Sequence, residues 1–430
     1  MYQTNITITK RILTVVAIVF SIIYWLPIGA SSENVSDNVA ADTGLYRELK
    51  LFGDVVTVIQ SSYVREVTPQ ELIYGAVSGM LEGLDSYSQF MSPDIYKEMQ
   101  VDTKGEFGGI GIVIGVRSGL LIIISPITDT PGDRAGIKAG DVIAEIDGKS
   151  TKKLTLMEAV KKLRGPKGTK VSMGIARKGE KELLHFDIVR EVIKIKNIEN
   201  AGVLDDNIGY ARIVHFNQKA ASELKEEISS LLEKKIDGLI IDVRGNPGGL
   251  LNACVKITDM FLPKGKLIVS TKGRKEGQDV TFISQDEVLY PTDMPLVVLI
   301  DGGSASASEI FAGAMQDWHR GVILGTKSFG KGSVQTVLPL SDGSGIRLTT
   351  AKYYTPSGRC IDEVGLVPDV TLELSKEEKV ELVKTKLKTI ETIENKDKPK
   401  HSILTGDKQL QSAVRIIKAA RIVGQNLKSK

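Results

Sequence analysis

Cysteine is almost missing from this 430-residue chain: Cys254 and Cys360 are the whole supply. A fold held by a disulfide framework is excluded, and a chain of this length needs no cross-link to hold a core. A single bridge between the two in an oxidising compartment stays open, although Cys254 falls in an apolar helical run that suits a buried free thiol. Histidine is nearly as scarce. His185, His215, His319 and His401 stand at no ligand spacing to one another, so no metal and no other cofactor is expected. Aromatic residues make up 5% of the chain and the net charge is only +3. Without a basic and aromatic stripe, nucleic acid is not an expected partner.

What remains is ordinary for globular protein, 42% hydrophobic and 25% charged, with length for two or three domains. One long hydrophobic run does exist, at residues 12–28. Lys10 and Arg11 precede it, and no charge follows until Glu33. That pattern is an export segment. Gly29, Ala30 and Ser31 offer small residues for cleavage, while Ile28 is bulky for such a site. The run also approaches the roughly 20 residues that span a bilayer. A signal peptide and an uncleaved membrane anchor therefore both stay open for residues 1–30. Either one sends the rest of the chain across the cytoplasmic membrane, to a periplasm or the extracytoplasmic face.

The most informative stretch is Asp301-Gly-Gly-Ser-Ala-Ser-Ala-Ser-Glu-Ile310. Before it, Pro295-Leu-Val-Val-Leu-Ile300 reads as a buried parallel strand. After it, Ile310-Phe-Ala-Gly-Ala-Met-Gln-Asp317 has helical apolar spacing. A strand that turns through glycines into a helix sets a serine among free N–H groups, as nucleophile and oxyanion hole require. Close packing of small residues is the other explanation. Later comes Gly325-Thr-Lys-Ser-Phe-Gly-Lys331-Gly-Ser-Val-Gln335, with a lysine between glycines. A neutral lysine can serve a serine as base. Taking it from about 10.4 to near 7 requires roughly 4 to 5 kcal/mol of environmental bias, which burial can supply. The same segment matches G-x-x-x-x-G-K, yet Gly332 stands where a phosphate loop needs Ser or Thr, and a strand rather than a helix follows. Nucleotide hydrolysis ranks well behind.

A third loop, Asp242-Val-Arg-Gly-Asn-Pro-Gly-Gly249, also lies between an apolar strand and an apolar helical run. Together the three motifs, over roughly residues 43–375, resemble the carboxy-terminal processing peptidases, serine endopeptidases with an embedded PDZ domain. The resemblance implies an α/β multidomain fold: a β-rich PDZ domain with two helices, an α/β protease core of crotonase-like type, and helical N- and C-terminal regions. It implies Ser306 as nucleophile, Lys331 as general base and Gln335 as the group that orients the lysine. It also implies an oxyanion hole from the N–H groups of Ala307 and a glycine, Gly248 ahead of Gly249, one of which serves only the turn. Ser304 and Ser308 are expected as turn or helix-start residues. Glu309 and Asp317 match positions implicated in activity, but a first-turn acid and a helix-end acid have structural explanations too, so both stay outside the catalytic set.

Residues 104–188 resemble the PDZ domain. Phe107-Gly-Gly-Ile-Gly111 supplies the carboxylate-holding loop, with Gly109, Ile110 and Gly111 as substrate-binding residues, and Ile112-Val-Ile114 continues as the edge strand that a peptide extends. Leu156-Met-Glu-Ala-Val-Lys-Lys-Leu163 is the helix flanking that groove. Arg164 sits where a contact between domains would transmit a signal, and a solvated helix end explains it equally well. Residues 31–43 read as a flexible linker within an N-terminal region, 31–103, that is otherwise helical. Thr68-Pro-Gln-Glu71 opens one of its helices as a capping box. The protease core is expected over 189–375, followed by a charged linker and a helix begun by Asp407 over 376–430. The expected partners are protein substrates held by their C-terminal tails, an adaptor protein and a second copy of the chain in a dimer, with membrane association through the N-terminus. A catalytically inert PDZ scaffold is the alternative.

Overall fold

The computed structural model describes residues 35–375, 377–378 and 406–428. The export segment and the charged linker around 395–400 lie outside them. The chain divides into two units, residues 1–77 and 78–430. In the first, helix α1 (Val35–Ser62) runs for 28 residues. It begins inside the stretch expected as a linker. No proline interrupts residues 35–62 and Ala40, Ala41 and Leu45 favour helix, which outweighs the intervening Asn and Asp. Helix α2 (Pro69–Glu82) opens on the expected box: Thr68 N–H donates to Glu71 Oε2 at 2.8 Å, and Glu71 N–H donates to Thr68 Oγ1 at 3.2 Å.

The second unit starts with strand β1 (Gln89–Met91), helix α3 (Pro93–Lys104) and strand β2 (Glu106–Gly109). An antiparallel sheet then follows from β3 (Ile112–Arg117), β4 (Leu120–Pro126), β5 (Val142–Ile146), β7 (Lys170–Ala176) and β8 (Leu184–Val189), with the short β6 (Lys149–Ser150) on β5. Ile123, Ile143 and Ile175 are fully buried within it. Helix α4 (Leu156–Leu163) turns Ala159 and Leu163 into the same core. Strand β3 is an edge of this sheet, so the side facing α4 has no neighbouring strand. Strand β9 (Glu191–Lys194) pairs with β2 and leads out of the domain.

The largest core is built on the sheet β10-β11-β12-β15-β16-β19. Its strands are β10 (Ile198–Val203), β11 (Ile208–Ile213), β12 (Gly238–Asp242), β15 (Leu296–Ile300), β16 (Val322–Gly325) and β19 (Val370–Thr371). All pairings are parallel except β10 with β11. Every residue of β12 and β15 is buried, as expected of parallel strands covered on both faces. One face carries α5 (Ala220–Glu233), α6 (Leu251–Asp259) and α7 (Ala307–Asp317), through Leu224, Ile228, Ile257 and Phe311. The other carries α8 (Lys408–Lys428), whose Leu410, Ala413, Val414 and Ile417 pack on Ile240, Val297 and Leu299. A second, antiparallel sheet of β1, β13 (Leu267–Gly273), β14 (Val280–Ile283), β17 (Ser333–Pro339) and β18 (Gly345–Tyr354) completes the body.

Helix α8 is also tied down electrostatically. Arg244, buried, donates to Asp407 Oδ2 at 2.7 Å and Asp242 Oδ2 at 2.7 Å. Burial opposes ionisation of Asp242, but the Arg244 guanidinium overrides it and brings the carboxyl down to about 2. Asp407 also accepts from Leu410 N–H at 3.0 Å, so one carboxylate caps the helix and anchors it. Farther along the same helix, Val423 remains 57% exposed. A cavity at Ile417 is expected to cost about 2–5 kcal/mol. Denaturant unfolding of Ile417→Ala tests this, and a value under half a kcal/mol would show that α8 contributes little.

Candidate active site

Three loops meet above the ends of β12, β15 and β16. The first is the elbow between β15 and α7. Ser306 sits there at φ 53° and ψ −113°, a region that side-chain-bearing residues rarely occupy and that functional turns hold by surrounding contacts. Those contacts are on view. Asp301 Oδ1 accepts from Gly303 N–H at 2.9 Å and from Gly245 N–H at 2.8 Å. Ser304 Oγ donates to Val243 O at 2.9 Å, and Ser308 Oγ donates to Asn246 O at 2.9 Å. Both serines are fully buried, whereas Ser306 is partly exposed. Two serines thus staple the elbow to the neighbouring loop and the middle one faces solvent.

The second loop carries Lys331, and Glu309 joins it to the first. The Glu309 side chain is buried. Its Oε2 accepts from Ser306 N–H at 2.8 Å and Lys331 N–H at 2.9 Å. Its Oε1 accepts from Gly330 N–H at 2.7 Å and Ser328 Oγ at 2.5 Å. On the opposite side Tyr353 Oη donates to Lys331 O and lies 3.3 Å from Ser306 O. The backbones of the two residues are therefore clamped through their amides and their carbonyls. Sequence reasoning left Glu309 as a first-turn acid. Only the fold of residues 328–331 over it reveals four donors converging on one carboxylate. Asp317, the other acid set aside, takes the Arg359 guanidinium and Ser357 N–H at a distance from this clamp.

The side chains of Lys331 and Gln335 make their contacts away from Ser306. The Lys331 amine lies 4.8 Å from the centroid of the Tyr87 ring, a cation–π placement. Burial, with Arg347 nearby, lowers its pKa below the ordinary lysine value, and Asp85 works in the other direction. Gln335 donates to Ser333 Oγ at 2.8 Å rather than to the lysine.

The third loop holds the glycines. Gly248 adopts φ +100°, and a Cβ there would stand 2.8 Å from Ala307 N and 2.7 Å from Ala305 O. Only glycine fits on both counts. Its N–H donates to Asn246 Oδ1 at 2.8 Å. Gly249, at φ +150°, presses on Phe216, where a Cβ would meet the carbonyl oxygen at 2.4 Å. The Ala307 N–H, first in its helix, has no intrahelical acceptor.

Ser306, Ala307, Gly248, Lys331 and Gln335 line one cleft of about 630 Å³. The exposed His215, absent from the sequence-based expectations, stands on the same wall. Its signal was weak, a lone histidine after β11 with no partner in the motifs. Gly109, Ile110 and Gly111 lie elsewhere, buried where β2 hands over to β3. There Gly111 adopts φ +74°, with Thr130 so close that a Cβ would overlap it. Helix α3 links the two places. Asp94 and Glu98 pair with Lys161 and Arg164 at the end of α4, and Arg164 stacks on Phe107 at 4.1 Å. Met99, Asp102 and Thr103 of the same helix line the cleft. Arg164 is thus a contact residue between the two regions rather than a solvated helix end.

Glu309→Gln places an amide NH₂ against backbone donors, and each buried donor left unsatisfied costs about 1–3 kcal/mol. A lower melting temperature and slower reaction of Ser306 with a fluorophosphonate probe are expected. Wild-type values on both counts would show the clamp to be dispensable.

Comparison with known proteins finds three matching family models: peptidase family S41 over residues 207–372, the PDZ domain over 98–176, and the activating protease CtpB N-terminal domain over 13–95. A carboxy-terminal-processing protease of Bartonella bacilliformis is 44% identical over 346 residues, 80% of this chain and 78% of that one. A carboxyl-terminal-processing protease of Synechocystis is 38% identical over 325 residues, 74% of this chain and 75% of its own. Among solved structures, a photosystem II D1 C-terminal processing protease is 28% identical, covering 73% of this chain and 85% of that chain at a TM-score of 0.43.

Proposed function

The chain belongs to the carboxy-terminal processing serine proteases of peptidase family S41, and from that we propose that it cuts protein substrates by a Ser306–Lys331 dyad. The observation that carries the reading is the clamp. Glu309 and Tyr353 hold the backbones of an alcohol and an amine together in one half-buried cleft, and burial there favours the neutral amine. Neutral Lys331 takes the Ser306 proton as Oγ attacks the scissile carbonyl. The resulting oxyanion is held by the N–H groups of Ala307 and Gly248. Lys331 returns the proton to the leaving amine, and water then releases the acyl-enzyme. Two local movements precede this: the amine leaves Tyr87 for Ser306, where Gln335 orients it, and the Gly248 N–H leaves Asn246.

Substrate delivery falls to the PDZ domain. An extended C-terminal tail adds to the free edge of β3, with its carboxylate at the loop of Gly109, Ile110 and Gly111. We further infer export across the cytoplasmic membrane, on the strength of Lys10, Arg11 and the apolar run after them. Among the described residues no helix is long and apolar enough to cross a membrane. A homodimer and an adaptor for substrates fit the same reading.

Ser306→Ala and Lys331→Ala are each expected to abolish cleavage of an unfolded protein with an apolar C-terminus while leaving the melting temperature near wild type. Activity surviving either change refutes the dyad. His215→Ala, which removes the imidazole from the cleft wall, is expected to retain cleavage. Because the reacting form is the neutral amine and its pKa is lowered, the rate should climb with pH and level off below the ordinary lysine range. A rate that instead falls over neutral pH would exclude an amine base.

A further inference from the structure

Arg347 touches none of the reacting atoms above, although its charge adds to the lowering of the Lys331 pKa, and it lines the same cleft. It stands on β18 opposite Val337 of β17, two residues along the ribbon from the pair Gln335 and Thr349. Val337 and Gln335 also line the cleft, so the register puts Arg347 on the wall that the substrate must pass. One amine of its guanidinium is fixed, with Nη2 donating to Gln89 Oε1 at 2.7 Å. Its Nε is buried and has no hydrogen-bond partner among the described residues. The guanidinium therefore brings a full charge and an orphaned donor into the cleft with a neutral amide as its bonded partner. Leaving such a donor unmet is costly.

A second orphan belongs to another residue of the cleft lining, Asn217. Asn217 is 4% exposed and its Nδ2 is also buried without a partner. Its amide cannot simply be turned over, because Oδ1 accepts from Lys219 N–H at 2.9 Å. The charged and titratable groups lining the cleft are Asp102, His215, Lys331, Arg347 and Tyr353. With Lys331 acting as the neutral amine, Arg347 is the cation that stays charged in the cleft, and the unmet groups are donors. What the cleft lacks is acceptor oxygen, preferably anionic.

We propose that Arg347 is a specificity-determining residue whose guanidinium receives a substrate carboxylate beside the scissile bond. The carboxylate comes from an Asp or Glu side chain flanking that bond, or from the free terminus of a short tail. A guanidinium with one nitrogen already fixed loses little freedom on binding, and its remaining edge suits a carboxylate. This deepens the reading of Ser306 and Lys331 as the cleaving pair and rests on it.

The test uses quenched fluorescent peptides of one apolar sequence, with Glu or Gln scanned through the positions on either side of the cleavage point. A second pair ends a few residues beyond that point in a free carboxylate or an amide. The readout is the ratio of kcat/KM between each acid and its neutral counterpart, so any general effect on the base cancels. Wild type is expected to favour the acid by about tenfold at one position, the size of a charge-assisted hydrogen bond. Arg347→Gln should bring the ratio to about one, and Arg347→Lys should keep part of it. The pair that shows the preference identifies the source of the carboxylate. A wild-type ratio near one, or a ratio unchanged by Arg347→Gln, overturns the proposal. If no peptide is cut, the fault lies with the assigned cleaving pair. Binding of the same peptides to Ser306→Ala then reads the preference without chemistry, and equal affinity for acid and amide would overturn it.

Discussion

One buried carboxylate organises the site. A charge removed from water is costly unless hydrogen bonds replace its hydration, and Glu309 meets that demand with four donors. The donors come from the serine elbow and from the lysine loop. The charge is therefore satisfied only when the two segments lie side by side. Tyr353 repeats the arrangement for the carbonyls. Backbone positions are fixed on both loops, and in the proposed mechanism only the lysine side chain has to move, from the Tyr87 ring to the serine hydroxyl.

Much of this was legible in the residues. The runs before and after Ser306 announce a strand and a helix by their periods, and the glycines between them announce a sharp turn. Gly-Lys-Gly could be separated from a phosphate loop because a β-period follows it, and β17 does begin at Ser333. The capping box at Thr68 marks a helix start with two residues. What stayed hidden depends on contacts between distant segments. The four donors on Glu309 come from two loops, and the orphaned Nε of Arg347 follows from the pairing of β1, β17 and β18. Helix α1 was missed at its start because Asn and Asp suggest a linker locally, whereas a long unbroken helix is decided over many residues.

The loop over residues 242–249 is packed against the serine elbow at close range. Gly303 and Gly245 approach so nearly that a Cβ on the first would meet the second's Cα at 2.8 Å. Ser304, Ser308 and Asp301 then stitch the loops together. Behind them the Cys254 thiol, whose pKa burial pushes up to about 12, donates to Ala307 O at 3.0 Å. It acts as a small apolar filler with one useful donor, which accounts for a cysteine in a chain that otherwise avoids them.

Those stitches join stretches that are far apart along the polypeptide, and none of them forms until β12 and β15 have found each other. Contacts of that kind come late, since closing long loops precedes any reward. A newly made molecule, still ordering its strands, therefore has a serine with no elbow and a lysine in ordinary solvent. Hydrolytic power arrives with the last stage of maturation, which spares neighbouring unfolded chains from an immature copy.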